Sequence, residues 1–269
     1  MRYAVCSNDP AVIADSREAG FDYVEASVPN LVKPFDSEEA FEESLETFRA
    51  AGLPIESVNL FLPRELRCTG PDAVPQDRIA EYAETVCRRL ALAGVPILVF
   101  GSGGARKLPD GWPKEKADEQ FVSLLSRLGP IAARHGVKIA VEPLARVECN
   151  YLNTVDEGAA LAHASGSPAV GVLADCYHWA RNEEPAETIL AAKNSLLHAH
   201  LATMPSRKAP GIEPYDFVPF FRALAAAGYD ARVSIEGGLP PPENRVEGLR
   251  AALAILRAAH DAAIAAPAP

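Results

Sequence analysis

The sequence predicts one α/β domain, a (β/α)8 TIM barrel that occupies residues 1–260. Short apolar segments alternate with longer amphipathic segments eight times. The apolar segments recur about every 33 residues, which fits a βα unit of about 30 residues. The 269 residues suffice for a barrel of about 250 residues. No linker or change in composition divides the chain, so one barrel is favoured over a doubly wound sheet with a second domain.

The predicted strands are continuous apolar runs, as expected for a parallel sheet that is buried on both faces. In the fifth strand Val137, Ile139 and Val141 precede Glu142, and Pro143 then ends the strand. In chain order the predicted strands lie at 3–6, 21–26, 55–61, 96–100, 137–142, 170–174, 196–199 and 231–235.

The predicted helices have amphipathic spacing, and several stop at a glycine, which readily adopts the left-handed conformation that follows a helix. The first helix begins after Asp9, a good capping residue, and ends before Gly20. The other helices are predicted at 37–51, 77–93, 114–135, 154–164, 186–193, 216–227 and 243–260, and the Ala/Pro-rich segment 261–269 is predicted to be a C-terminal tail.

Composition narrows the class of partner. The formal net charge of −10 argues against nucleic acid, because phosphate binding needs a basic surface. Five scattered cysteines without a CxxC pair predict reduced, mostly buried thiols in a cytoplasmic protein. Neither a secretory signal nor an apolar stretch of about 18 residues for a membrane span is visible. We therefore expect a cytoplasmic protein with a small-molecule partner, with a homodimer or homotetramer left open.

Four successive strands end in a side chain that can bind a metal ion: Glu142, Asp175, His200 and Glu236. The carboxyl ends of barrel strands meet on the face where barrel active sites lie. Three carboxylates and one imidazole suit an octahedral divalent ion, with Mn²⁺ first and Mg²⁺ or Co²⁺ next. Zn²⁺ is less expected, because zinc sites usually carry more histidine or cysteine. The alternative is an ordinary polar strand end at each position, which repetition at four consecutive strands disfavours.

Further motifs accompany these residues, and with them the chain resembles the xylose isomerase-like barrel superfamily, in its branch of sugar isomerases, sugar epimerases and hydroxypyruvate isomerase-like proteins. The resemblance extends over nearly the whole chain. It implies a divalent metal bound by Glu142, Asp175, His200 and Glu236, the two glutamates as acid and base, and substrate contacts from Glu148, His178 and Arg207. The motifs are Phe100-Gly101-Ser102-Gly103, Glu142-Pro143-Leu144, Arg146, Glu148, Asn153-Thr154, Asp175-Cys176-Tyr177-His178, His198-Ala199-His200, Arg207, Pro210-Gly211 and Ser234-Ile235-Glu236.

Such a site suits proton transfer next to a carbonyl group. Removal of that proton creates an enediolate, whose negative charge a cation stabilises. With a carboxylate on each side of the carbon, one can remove a proton from one face and the other can return a proton to the opposite face. This transfer inverts the configuration of the carbon (epimerisation) or moves the carbonyl group (isomerisation). We therefore expect a metal-dependent isomerase or epimerase of a small keto-sugar, similar to ketose 3-epimerases, or of a hydroxy-keto acid. The alternative is a dehydratase or lyase on a keto-sugar or keto-cyclitol, in which the same enolate expels a β-hydroxyl.

Two other function classes fit less well. Resemblance to the DNA repair endonucleases of this fold would imply three zinc ions and more histidines at strand ends, whereas Asn59 and Gly101 end the third and fourth strands here. A barrel that binds sugar without chemistry is disfavoured by the presence of both Glu142 and Glu236.

Several residues near the strand ends are candidates for substrate binding. His178, in the predicted loop after Asp175, can donate to a substrate hydroxyl or to Asp175 itself. Arg207, in the loop after the seventh strand, suits a carbonyl, carboxylate or phosphate. Glu148 can contact substrate or pair with Arg146.

Other polar and aromatic residues have a weaker assignment. His198 should point the same way as His200 but one layer deeper, which predicts a buried, hydrogen-bonded histidine. Glu25 and Asn59 end the second and third strands and can line the pocket or be ordinary polar strand ends. Trp112 can stack on a sugar or pack in its loop.

The glycine-rich segment Gly101-Ser102-Gly103-Gly104 favours a tight loop that lets substrate approach. A phosphate cradle is less expected there, because barrel phosphate sites favour the last two βα loops. The chain departs from the family pattern at Gly237-Gly238, where ketose epimerases often carry a bulky residue, and at Thr203, where many relatives carry an acid. Both departures lie at the substrate end of the pocket, so the family's substrate specificity does not transfer to this chain.

Overall fold

The computed structural model describes residues 1–265. Eight parallel strands pair in chain order and the eighth pairs with the first, so the sheet is a closed barrel. This confirms the predicted (β/α)8 fold. The strands are β1 Arg2–Cys6, β2 Tyr23–Ser27, β3 Ile55–Asn59, β4 Ile97–Phe100, β5 Lys138–Val141, β6 Val170–Asp175, β7 Leu196–Leu201 and β8 Arg232–Ile235.

Helices follow the strands and cover the outside of the barrel. They are α1 Pro10–Ala19, α2 Glu38–Ala50, α3 Gln76–Ala93, α4 Gly103–Arg106, α5 Lys114–Arg134, α6 Val155–Ala164, α7 Cys176–Arg181, α8 Ala186–Ala191, α9 Val218–Ala226 and α10 Arg245–Ala265. Helix α10 continues beyond His260, so 261–265 of the predicted tail are helical, and 266–269 lie outside the described residues.

Local sequence signals explain several helix ends. The Asp9 side chain accepts a hydrogen bond from the Ala11 amide at the start of α1, and Gly20 ends that helix at φ 97°. Thr154 and Glu157 form a capping box at the start of α6. These caps satisfy backbone groups that a helix end otherwise leaves without a partner.

Three short elements were not predicted, because they are too short to show helical periodicity. They are α4, α7 and a π-helical turn at Val28–Val32. Helix α7 corrects the prediction for His178, which lies on this helix rather than in a loop. The helix forms there because the Asp175 side chain caps it through the amides of Tyr177 and His178.

The apolar core lies mainly between the strands and the covering helices, in two large clusters of buried side chains. A third, small cluster comes from strands β4, β5 and β6: Ile97, Val99, Ala140 and Leu173. Strands β2, β3, β7 and β8 instead contribute a buried polar group around Glu25. One side of the barrel interior is therefore polar, directly beneath the strand ends.

All five cysteines are free thiols, and four of them are buried, as the sequence predicts. Within residues 1–265 no helix is long and apolar enough to cross a membrane.

Candidate metal and substrate site

The four predicted ligands meet at the carboxyl ends of strands β5 to β8. Ligand atoms of Glu142, Asp175, His200 and Glu236 all lie within 4.8 Å of one another. Opposite ligands of an ion with bonds of about 2.1 Å lie about 4.2 Å apart, so small side-chain adjustments would close this group around one divalent ion. Asp175 and His200 are register partners on neighbouring strands, which places them side by side.

Asp175 has one oxygen in use and one free. Its Oδ1 accepts hydrogen bonds from the amides of Tyr177 (2.6 Å) and His178 (3.1 Å). Its Oδ2 is buried and has no hydrogen-bond partner among the described residues. A buried carboxylate oxygen without a partner is costly, and a bound cation would remove that cost. The residues present therefore fit a divalent metal ion.

The orientation of His200 is set from beneath by Glu25. The His200 Nε2 donates to Glu25 Oε1 at 2.7 Å, so Nδ1 faces the other ligands. The Nδ1 lies 3.2 Å from Glu142 Oε1, 3.5 Å from Glu236 Oε2 and 3.9 Å from Asp175 Oδ2. Glu25 would thus make Nδ1 the ligand atom of a bound metal ion, in the way that outer carboxylates orient metal-binding histidines.

Glu25 is itself the centre of a buried network. Its Oε2 accepts from Ser57 (2.6 Å), Ser234 (2.8 Å) and His198 Nε2 (2.7 Å). His198 is a buried, hydrogen-bonded histidine below His200, as the sequence predicts. Glu25 is fully buried and holds His200 from inside the barrel, rather than lining the pocket as the sequence suggests. Burial raises the pKa of Glu25, but the neighbouring histidines His200 and His198 outweigh burial and hold that pKa well below its usual range. The Glu25 carboxylate is therefore charged.

We expect Glu25→Gln to weaken metal binding about 10- to 100-fold, because a neutral amide accepts a weaker hydrogen bond from His200 Nε2 and no longer raises the basicity of Nδ1. The dissociation constant for Mn²⁺ is measured by electron paramagnetic resonance of the free ion. Glu56→Gln is the matched control, since Glu56 is ion-paired with Arg232 at the opposite end of the barrel. Equal metal affinity in Glu25→Gln and the native chain would contradict this role.

Glu142 follows β5 and is buried against the glycine-rich loop. Its carbonyl oxygen accepts from the buried Arg106 guanidinium at 2.6 Å, and its amide donates to the Phe100 carbonyl at 3.1 Å. A β-carbon at Gly101 would lie 2.2 Å from Glu142 Oε2. Gly101 is therefore needed as space for the Glu142 carboxylate, whereas the sequence suggests only a tight loop near the substrate.

Glu236 is held by two neighbours at the end of β8. Asn59 Nδ2 donates to Glu236 Oε1 at 3.0 Å, and Arg207 Nη2 donates to Glu236 Oε2 at 2.5 Å. Asn59 therefore contacts the site through Glu236, and it is not among the residues that line the cavity, where the sequence suggests it could lie. Burial opposes ionisation of Glu236, but the neighbouring His200 imidazole and Arg207 guanidinium outweigh it and lower the pKa of Glu236 to about 2. Burial and the Glu236 charge instead raise the pKa of Glu142.

Arg207 lies across the mouth of the site. Its guanidinium also lies 3.3 Å from Glu148 Oε1, 3.9 Å from Asp175 Oδ2, and 4.9 Å above the centre of the Tyr177 ring. Glu148 therefore pairs with Arg207, and no ion pair with Arg146 is present among the described residues; the Arg146 amide donates to Asn182 instead.

The departure at Gly237 has a structural reason. A β-carbon there would lie 2.6 Å from the Arg207 carbonyl oxygen. The Arg207 backbone has φ 52°, and its carbonyl accepts from the Gly238 amide at 2.8 Å. The loop that carries Arg207 is thus packed directly on the residues after Glu236, which leaves no room for a bulky side chain.

His178 presents one defined ring nitrogen to the site. Its Nδ1 accepts from the Ala145 amide at 3.1 Å, so Nε2 carries the proton in the neutral ring. The Nε2 lies 3.9 Å from Asp175 Oδ2 and 3.4 Å from Arg207 Nη2. His178 is therefore placed to donate a hydrogen bond into the cavity.

A second group of possible metal ligands, Cys6, Glu25 and His200, shares His200 with the first. Glu25 and the His200 Nε2 already bind each other in this group. Burial and the nearby Glu25 charge raise the pKa of the Cys6 thiol well above its usual range, which keeps it protonated. The thiol form is a poor metal ligand, so the first group is the better site.

A cavity of about 820 Å³ opens above these residues. Its lining includes Glu142, Glu148, His178, Arg207 and Glu236, with the loops after β3 and β4 at the rim. Trp112 is not in the lining; it packs against the core beside α5, with Lys116 Nζ 5.6 Å above its ring centre. Of the predicted substrate-binding residues, Glu148, His178 and Arg207 line the cavity, whereas Asn59 and Trp112 do not. The buried Asp175 and His200 are also outside the lining and join the site through the ligand group.

Known proteins share this architecture. The family model of the xylose isomerase-like TIM barrel matches residues 13–259. An L-ribulose 3-epimerase of Methylomonas sp. (strain DH-1) is 28% identical over 232 residues, which cover 83% of this chain and 76% of that protein. A 3-dehydro-D-guloside 4-epimerase of Escherichia coli (strain K12) is 28% identical over 255 residues, which cover 90% of this chain and 91% of that protein.

Solved structures agree on the fold. The crystal structure of a D-allulose 3-epimerase from Methylomonas sp. in complex with D-allulose has a TM-score of 0.79 and 23% sequence identity, and the match covers 96% of each chain. The relatives are named epimerases, which supports a sugar epimerase or isomerase. Because the family model matches most of the chain, this protein belongs to the family of xylose isomerase-like TIM barrels.

Proposed function

We propose that this protein is a divalent-metal-dependent epimerase or isomerase that moves a proton on the carbon next to the carbonyl of a small keto-sugar. The observation that carries the proposal is that Glu142 and Glu236 meet at one ligand group with Asp175 and His200. Sugar epimerases of similar sequence support the substrate class, whether the keto-sugar is free, as for L-ribulose, or a glycoside, as for the 3-dehydro-D-guloside.

Glu142, Asp175, His200 and Glu236 would hold the metal ion. When bound, it would stabilise the negative charge that develops on the carbonyl oxygen as the adjacent proton leaves. Hard oxygen donors with one nitrogen favour Mn²⁺, then Mg²⁺ or Co²⁺, and Zn²⁺ is the remaining alternative.

Glu142 and Glu236 would exchange protons with the substrate carbon. They extend from β5 and β8, three positions apart in the barrel, and therefore approach a central substrate from different sides. One carboxylate removes the proton from one face, and the other returns a proton to the opposite face, which inverts the centre. Return of the proton to the neighbouring carbon would instead move the carbonyl group.

Arg207, His178 and Glu148 would bind the substrate. Arg207 and the Nε2–H of His178 are hydrogen-bond donors, and Glu148 is an acceptor at the rim. This set can orient the hydroxyl and carbonyl oxygens of a keto-sugar, and Arg207 would also suit the carboxylate of a hydroxy-keto acid.

We expect EDTA to abolish exchange of the substrate proton with deuterium oxide, and Mn²⁺ to restore it. The assay follows deuterium incorporation into ketoses and keto-acids by NMR, which detects proton removal whichever product forms. Products that lose water and absorb ultraviolet light would identify a dehydratase instead. Full activity after chelation, with no metal in elemental analysis, would refute the metal site.

A further inference from the structure

A second cavity adjoins the proposed active site. It has a volume of about 350 Å³ and a mainly apolar lining, and it shares Leu60, Leu62 and Pro63 with the larger cavity. Phe35, Pro34 and Tyr82 complete most of its wall. A molecule bound at Glu142 and Glu236 can therefore extend into an apolar space without leaving the protein surface.

The wall of this side cavity exposes large apolar side chains. Phe35 is 73% exposed and Leu60 is 57% exposed. Exposed apolar groups that line one concavity next to a polar site are typical of ligand-binding surfaces. Their position at the mouth of the barrel separates them from exposed residues such as Leu92, which lies near the end of α3 on the opposite face of the barrel.

The loop that carries Phe35 is held in place from beneath. Arg89 is 2% exposed, and its guanidinium donates to the carbonyl oxygens of Val32 and Asp36, each at 2.9 Å, and to that of Lys33. The Phe35 ring lies 5.2 Å from the Tyr82 ring, centre to centre. The exposed ring is therefore a fixed wall of the cavity.

Leu60 is also fixed, in an unfavourable backbone conformation. Its φ is 56°, in the left-handed region that a leucine rarely adopts. Asn59 before it donates to Glu236, and the Phe61 carbonyl after it accepts from the Tyr82 hydroxyl at 2.8 Å. These bonds hold the Leu60 side chain at the boundary of the two cavities, and such strain is typical of functional positions.

We infer that the side cavity binds an apolar substituent of the substrate, so that the preferred substrate is a keto-sugar with an alkyl or aryl aglycone. This inference rests on the proposed function. The volume is sufficient, since a cavity of about 150 Å³ already holds benzene. Continuity with the reaction site through three shared residues favours a substrate group over a second copy of the chain, which would cover the outer surface.

The test compares two 3-keto-glucosides, one with a methyl and one with a 4-nitrophenyl aglycone. Mn²⁺ is present, and deuterium exchange is the readout. In the native chain kcat/KM should be at least about tenfold higher for the aryl glycoside. Phe35→Ala should lower the aryl-to-methyl ratio about tenfold. Leu60→Asn should do the same, because asparagine tolerates the positive φ and removes the apolar group. Leu92→Ala is the control and should leave the ratio unchanged.

Each other outcome has a distinct meaning. Exchange with both glycosides at equal kcat/KM, unaffected by Phe35→Ala, would overturn the aglycone site and leave the proposed function intact. Absence of exchange with every keto-sugar would refute the proposed function itself. Phe35→Ala could instead leave the aryl-to-methyl ratio of kcat/KM unchanged and alter the oligomeric state, as measured by light scattering. That result would assign the cavity to a second copy of the chain.

Discussion

Replacement of Glu236 by glutamine is expected to lower kcat at least about 1000-fold while the barrel stays folded. Glutamine cannot accept the substrate proton, and loss of a positioned acid or base typically costs 10²- to 10⁴-fold. The substitution also removes one proposed metal ligand and the carboxylate partner of the Arg207 Nη2 at 2.5 Å. The amide oxygen of the introduced glutamine can still accept the hydrogen bond from Asn59 Nδ2, so local packing should persist.

Glu142→Gln should give a loss of similar size, because the mechanism needs a proton carrier on each side of the carbon. Deuterium exchange and metal content are measured on both variants, and circular dichroism confirms the fold. Glu148→Gln is the matched control: Glu148 lies at the rim and is bound to Arg207, so its loss should act mainly on KM. Substantial turnover in either Glu142→Gln or Glu236→Gln would eliminate the two-base mechanism.

The barrel and the convergence of the candidate ligand group were predictable because both depend on a repeated pattern. Apolar strands recur at the length of a βα unit, and closure brings the carboxyl ends of consecutive strands together. A ligand at each of four consecutive ends, such as Asp175 and His200, therefore converges whatever the details of the loops.

The supporting contacts were not predictable, because they join residues that are far apart in the sequence. Glu25 binds His200 across the barrel interior, and Arg207 reaches Glu236, Asp175 and Glu148 only because its loop packs on Gly237. Glu25 ends a predicted strand, which suggested a pocket residue, yet its side chain points into the barrel.

Trp112 shows the limit of arguing from residue type. An aromatic residue next to glycine and proline suits a sugar-stacking loop, but this loop precedes α5, and the ring packs against the core instead. Helix α7 shows a related limit, since a single side-chain cap from Asp175 forms it and no apolar period reveals it.

Gly101→Ala is expected to reduce kcat/KM about 100-fold with little change in stability. The added methyl carbon would lie 2.2 Å from Glu142 Oε2 and 3.4 Å from Cδ, so the carboxylate must move. The end of a glutamate side chain can rotate away cheaply, and Gly101 has no positive φ that an alanine would strain. A displacement of about 1 Å at a reacting group nevertheless costs about 100-fold in rate.

Gly104→Ala tests whether the loss comes from Glu142 or from the loop. It adds the same methyl group to the same glycine-rich segment, where its nearest contact is Arg64 Cβ at 3.3 Å. We expect a modest effect there, with thermal unfolding within a few degrees of the native chain for both variants. Measurement of Mn²⁺ affinity adds a second readout, because a displaced Glu142 should also weaken metal binding. Native activity in Gly101→Ala would mean that the Glu142 carboxylate does not need the position beside β4, and the close packing at Gly101 would then have no role in catalysis.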